Sequence, residues 1–269
     1  MLIDAIGQTH ARVSGDARIV SLVPSITELL FELGLGDAVI GRTGFCIHPH
    51  EAVRAVPKLG GTKDVDLASL RALAPSHVIV NIDENTRETY AALVDSVPHV
   101  VVTHPNAPDD NLALYALLGG IFARDTRATE LATAYRAARL RVDEAAQVLP
   151  PRRVLYLIWR DPWMTVSADT YIARMLALVN WQIVDVTDSV RYPALDDATL
   201  TALAPDLCLL SSEPYPFRAK HIAEVERLCD ARGDVHLVDG EMLSWYGSRA
   251  IAGLDYLAAT ARSLIGHTA

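Results

Sequence analysis

Short apolar runs alternate with helix-period stretches along most of the chain. Arg18-Ile19-Val20-Ser21-Leu22-Val23 has the pattern of a buried strand, which Pro24 interrupts. Ser25-Ile26-Thr27-Glu28 then reads as a capping box opening a helix to about Leu33, with Gly34 as its C′ residue. The pattern continues with a strand at 38–40, a helix at 67–73, a strand at 77–80, a helix at 86–94, a strand at 100–103 and a helix at 108–122. After residue 150 it resumes, with strands near 153–158, 182–185, 207–210 and 235–238. The helices there fall near 170–179, 197–202, 217–228 and 249–264. Strands and helices alternating through short connections predict an α/β fold with mainly parallel sheets.

One segment is repeated. Leu70-Arg71-Ala72-Leu73-Ala74-Pro75 and Leu200-Thr201-Ala202-Leu203-Ala204-Pro205 match at five of six positions, 130 residues apart. Each leads into an apolar run and then a polar, acidic loop, Asn81-Ile82-Asp83-Glu84-Asn85 or Ser211-Ser212-Glu213-Pro214. The shared context predicts two similar lobes. Between them, residues 126–148 contain no Gly or Pro, and Ala128, Leu131, Tyr135, Ala138, Val142 and Ala145 form a helical stripe. A helix of that length spans about 35 Å. The expected organisation is an N-terminal lobe over 1–124, a connecting helix over 125–149 and a C-terminal lobe over 150–269. A helical connector would limit hinge motion. Loops at strand carboxyl ends are where open α/β sheets bind ligands, so the expected site is a cleft between the lobes.

Composition narrows the function. With 51% hydrophobic residues the chain can bury a substantial core. A net charge of −9 without a Lys/Arg run argues against nucleic acid or an anionic membrane surface as partner. No apolar run approaches the roughly 18 residues of a membrane span, so membrane insertion is not expected. The first residues lack a basic and an apolar signal region, which predicts a cytoplasmic location, or a periplasmic one if a signal has been removed. Three cysteines, Cys46, Cys208 and Cys229, with no Cys-x-x-Cys, indicate no disulfide framework, and Cys208 reads as inert core.

Candidate chemistry gathers at predicted strand ends of the second lobe: Trp159, Arg160 and Trp163; Arg191 and Tyr192; Glu213 and Tyr215; Trp245, Tyr246 and Arg249. Aromatic faces stack on flat or apolar ligands, and Arg offers a planar fork for carboxylate or phosphate. In the first lobe, Phe45 and Glu84 join this ligand-binding set, and Cys46 and His48 stand at alternate positions where an extended chain could hold a metal. The loop acids Glu84 and Glu213 could act as acid and base. No nucleophile elbow, His-Glu-x-x-His, P-loop or Gly-x-Gly-x-x-Gly occurs, so catalysis, nucleotide binding and a required cofactor have no sequence support.

Residues 18–30, then Gly41-Arg42-Thr43 and Gly60-Gly61-Thr62, with Asp4-Ala5-Ile6-Gly7-Gln8-Thr9 before them, resemble the class III substrate-binding proteins of ABC importers. The similarity is to the cobalamin-binding and helical-backbone metal-receptor branch. It implies two Rossmann-like α/β lobes joined by one long backbone helix, and a metal chelate as ligand: a corrinoid, haem or a ferric siderophore. Members that dock on a permease carry a Glu on each lobe. The matching positions are Ala68 and Ala198, with Asp66 and Asp197 nearby, so the resemblance puts an ABC permease partner in doubt. The expected function is a non-catalytic binder of a cobalamin-like ligand. The alternatives are a haem or ferric-siderophore binding protein, and a chelatase or metal-dependent hydrolase using the loop carboxylates and His48.

Overall fold

The computed structural model describes residues 1–186, 190–229 and 234–265. They fall into two units. The first comprises Met1–Pro105, Asp109–Tyr135 and Tyr246–Arg249, and the second Asn106–Pro108, Arg136–Trp245 and the chain from Ala250.

In the first unit, β1 (Ile19–Ser21), β2 (Val39–Arg42), β3 (His77–Asn81) and β4 (His99–Thr103) form a parallel sheet in the order β2-β1-β3-β4. Continuous apolar runs are what a sheet covered on both faces demands. Val20, Leu22, Val78, Val80, Val100 and Val102 pack with Leu59, Leu70 and Leu93. The helices are α1 (Pro24–Glu32), α2 (Leu67–Ala72), α3 (Arg87–Val94) and α4 (Asp110–Ile121). The capping box expected at Ser25 does not form: Pro24 occupies the first turn, Val23 is the N-cap, and no side chain caps it. Proline suits that position because its missing N–H has no helical partner there. The outer edge of β4 is covered by the N-terminal segment. Ala5 N–H donates to Val102 O (3.0 Å), and Val102 N–H donates to Asp4 Oδ2 (3.1 Å). Covering an edge strand blocks pairing with another chain.

His77 begins β3 and stacks on His99 at 4.7 Å. Burial first, then the nearby His99 and His10, lower its pKa to about 4. A base whose folded pKa lies below its unfolded value of 6.5 binds protons more readily when unfolded. The stability conferred by neutral His77 is therefore present above pH 6.5 and lost as pH falls toward 4. Urea midpoints measured from pH 7 to 4 should fall over this window, and the fall should be shallower in His77→Phe.

Residues Asp125–Ala146 form one uninterrupted helix, α5, as the Gly- and Pro-free stretch predicted. It assigns residues through Tyr135 to the first unit and those from Arg136 to the second. Its end is fixed by Asn180, whose amide donates to Ala146 O and Leu149 O, both at 2.9 Å.

The second unit contains β5 (Arg152–Trp159), β6 (Trp163–Thr165), β7 (Trp181–Ile183), β8 (Ala194–Leu195), β9 (Leu207–Ser211) and β10 (Asp234–Val238). Its helices are α6 (Tyr171–Ala177), α7 (Asp197–Leu203), α8 (Ile222–Leu228), α9 (Gly240–Ser244) and α10 (Arg249–Ser263). Here β7, β5, β9 and β10 run parallel in the order β7-β5-β9-β10, the same order as in the first unit. Antiparallel pairings add β6 to the end of β5 and β8 to β6. The helix expected over 217–228 is shorter, since a 3-10 turn at Ala219–His221 precedes α8.

The duplication extends to the backbone. After α2 and α7, Ala74 (φ 45°) and Ala204 (φ 42°) both take left-handed conformations, which are costly for residues with a Cβ. Each turn is held by an arginine. Arg18 donates to Leu73 O (2.5 Å) and Ala74 O (3.2 Å), and Arg153 donates to Leu203 O and Ala204 O (2.9 Å each). These bonds satisfy helix-end carbonyls that otherwise lack partners. The repeated hexamer thus encodes a specific capped turn.

Candidate functional site

The loops after β1, β2, β3 and β4 define the carboxyl edge of the first unit. Phe45, in the loop after β2, is 62% exposed, and Ile47 and Ile82 are also exposed. The loop after β3 is built by two asparagines. Asn81 Oδ1 accepts from Asp83 N–H (2.8 Å), Asn85 Oδ1 accepts from Asn81 N–H (2.9 Å), and the Asn85 amide donates to Thr62 O (2.9 Å). Both asparagines are buried. Sequence reasoning placed them only in a polar loop; the available signal was their flanking of Ile82-Asp83-Glu84 directly after an apolar run. Gly60 (φ +86°) lets the neighbouring loop close, because a Cβ there would lie 2.3 Å from Asp64 O. Asp83 Oδ2 lies 3.5 Å from His104 Nε2, and Lys63 donates to Asp83 O (2.6 Å). Burial raises the Glu84 carboxyl pKa, against the opposing charge of Lys63. This edge therefore presents apolar side chains beside acidic groups.

In the second unit, the carboxyl ends of β5, β9 and β10 bring together only part of the predicted set. Trp159 is 39% exposed and meets Tyr215 edge-to-face at 5.7 Å. Tyr215 is half-buried and hydrogen-bonded to His221 (3.3 Å). Trp163 is only 6% exposed: it stacks on Phe217 inside the core, and its indole donates to Asp197 Oδ1 (3.0 Å). Trp245 is 8% exposed and donates to Glu213 Oε1 (2.7 Å), which also accepts from Ser244 (3.0 Å). These two tryptophans hold the loops from beneath.

The arginines were expected to offer open forks, and each is already engaged. Arg160 makes a two-bond pair with Glu224 (3.0 and 2.7 Å), contacts Asp161 and lies over the Trp163 ring. Arg191 binds Asn106 Oδ1 (2.8 Å) and approaches Asp169 (3.4 Å). Its carbonyl accepts from Ser167 N–H, beyond the end of β6 and away from the turn that joins β6 to β5. Arg249 pairs through two bonds with Glu28 (2.8 and 2.7 Å) and, with Tyr246, groups with the first unit. Tyr246 is buried, and neighbouring Gly247 bonds to Asn111 and Tyr115. Tyr246 and Arg249, expected on the second-lobe face, thus group with the first unit, and Trp245 stays in the second.

The Cys46 thiol is fully buried and hydrogen-bonded to Thr43 (3.2 Å), and burial raises its pKa. Burial outweighs the Thr43 hydrogen bond, which acts the other way, and so opposes the thiolate that a metal requires. His48 is half-buried before a cis proline. No group of three or more His, Cys, Asp or Glu suited to a metal ion occurs among the described residues. No described helix is long and apolar enough to cross a membrane.

The family described as periplasmic binding protein matches residues 19–229. An uncharacterized ABC transporter substrate-binding lipoprotein, YvrC of Bacillus subtilis, is 23% identical over 95% of this chain and 83% of its own length. A vitamin B12-binding protein of Photorhabdus laumondii is 19% identical over 76% of this chain and 74% of its own. Among solved structures, the periplasmic vitamin B12-binding protein BtuF of Vibrio cholerae superposes with a TM-score of 0.81, at 16% identity, over 92% of this chain and 98% of its own. A periplasmic haem-binding protein of Pseudomonas aeruginosa gives 0.78, at 18% identity, over 92% and 93%. These matches overturn the cytoplasmic expectation, because the family and its relatives are periplasmic proteins or lipoproteins. The family and its structural neighbours are substrate-binding proteins rather than enzymes. With the two matching sheets, the long helix and a family match across most of its length, the chain belongs to the periplasmic binding protein family, the class III substrate-binding proteins of ABC importers.

Proposed function

We propose that this protein is an extracytoplasmic, non-catalytic binder of a cobalamin-like corrinoid, held at the carboxyl-edge loops described above. One observation carries the choice of ligand. The three arginines that read as carboxylate forks, Arg160, Arg191 and Arg249, are each committed to partners within the protein. Haem presents two propionates and many ferric siderophores are anionic, and both gain from a cation that is not already paired. A corrin ring bears mainly amide side chains, which suit neutral donors and acceptors and tolerate Asp83 and Glu84. Each unit by itself offers exposed apolar side chains that suit a ring system, Phe45, Ile47 and Ile82 in the first and Trp159 in the second. Arg218 and Lys220 remain exposed near the Tyr215 loop, so the selection is graded. The names of two curated relatives, both vitamin B12-binding proteins, support the same reading. Glu213 is held by Ser244 and Trp245, which gives a chelatase or hydrolase reading no support from that carboxylate. Equilibrium dialysis against cyanocobalamin and haemin tests the proposal. Saturable binding of cyanocobalamin is expected, and binding of haemin alone would overturn it.

The permease partner is a further part of this reading. Ala68 and Ala198 are exposed in the first turns of α2 and α7. The neighbouring carboxylates are occupied: Asp66 caps α2 through Ser69 (3.0 Å), and Asp197 accepts from Trp163. A permease Arg opposite Ala would be left without its carboxylate. In a reconstituted importer of this family, the wild-type protein should support little uptake, and Ala68→Glu/Ala198→Glu should increase it. Equal uptake by both would refute this part of the proposal.

A further inference from the structure

Cys208 lies in β9 and Cys229 follows α8 as its C-cap, and their Sγ atoms are 3.5 Å apart, both fully buried. Their spacing of 21 residues offered no sequence reason to pair them. A disulfide needs an S–S distance of about 2.05 Å, so rotation of the two side chains has about 1.5 Å to close. We infer that Cys208 and Cys229 form a disulfide when the chain folds in an oxidising compartment. The oxidant is an external disulfide, either a small molecule such as glutathione disulfide or a protein dithiol oxidase. Cys229 thiolate attacks it, giving a mixed disulfide and releasing one thiolate. Cys208 thiolate then attacks the Cys229 sulfur and releases the second. The two protein thiols lose two protons and two electrons, and the external disulfide becomes two thiols. Before α8 closes over β9 either thiol can make the first attack, and the balance is the same.

The cross-link has a location relevant to the site. The closed loop contains Glu213, Tyr215, Phe217, His221 and Glu224, the segment that carries the aromatic edge and the partner of Arg160. Tying its ends together restricts the unfolded chain and holds that segment to β9. Burial of both sulfurs places the reaction during folding, before α8 closes over β9. Cys46, buried against Thr43 in the first unit, stays a thiol.

The test is independent of ligand identity. Reduced, denatured protein is refolded in a glutathione/glutathione disulfide buffer or in dithiothreitol, then alkylated in denaturant and weighed. One alkylated cysteine is expected after oxidative refolding and three after reductive refolding, with peptide mapping joining Cys208 to Cys229. The oxidised form should melt about 5 °C or more above the reduced form. The Cys208→Ala/Cys229→Ala variant should lose this redox dependence. Three alkylated cysteines under both conditions, or a bridge involving Cys46, would overturn the inference.

Discussion

Replacing Glu28 by Gln is expected to destabilise the protein by about 3 kcal/mol without a matching change in ligand affinity per folded molecule. The carboxylate receives two hydrogen bonds from Arg249, and both side chains are largely buried, at 17% and 10% exposure. Removing the negative charge leaves a guanidinium in poorly solvated surroundings, which costs far more than loss of a surface pair. Arg249→Ala should fall in the same range. Urea denaturation followed by circular dichroism measures both variants. A change below about 1 kcal/mol in both would mean that the pair is solvated and that Arg249 is available to a ligand after all.

Trp163→Ala should lower stability by about 3–5 kcal/mol, whereas Trp159→Ala should leave stability nearly unchanged and weaken ligand binding. Trp163 fills the core between Arg160 and Phe217, and its truncation would empty that space and strand the Asp197 contact. Trp159 stands at the exposed end of β5 against Tyr215. Truncating an aromatic anchor at a binding hot spot costs about 2 kcal/mol, or roughly thirtyfold in affinity. Thermal unfolding and corrinoid titration of the two variants separate these roles. An affinity loss in a fully folded Trp163→Ala, with none in Trp159→Ala, would reverse the assignment.

The repeated hexamer carried most of the fold, because a capped helix end followed by a buried strand is specified locally. The long helix was legible for the same reason, since the absence of Gly and Pro and an unbroken stripe are properties of one segment. Short elements escaped. Strands β6 and β8 have three and two residues, too few for any period to register. The site was legible as residue types and loop positions and not as availability. Arg249 meets Glu28 from 221 residues away, and Arg160 meets Glu224 from 64. Such partners are chosen by tertiary packing, so an arginine that reads as an open fork turns out to be a structural ion. Glu28 illustrates the point twice: the local pattern cast it in a capping box, and the fold spends its carboxylate on Arg249. The cysteine pair is a further case, because strand and helix-end positions converge only once the second sheet is assembled.

Charge is the proposed selector: with Arg160, Arg191 and Arg249 paired within the protein, the proposed site should favour an amide-bearing macrocycle over an anionic one. The most direct measurement compares cyanocobalamin with a corrinoid whose peripheral amides have been hydrolysed to carboxylates, titrated against wild-type protein at pH 7.5 with Trp fluorescence as readout. The ring, the metal and the apolar contacts are then held constant while negative charge is added. The expected result is binding of cyanocobalamin and an affinity at least about tenfold weaker for the polycarboxylate, a difference of about 1.4 kcal/mol. Equal or tighter binding of the polycarboxylate would contradict the account.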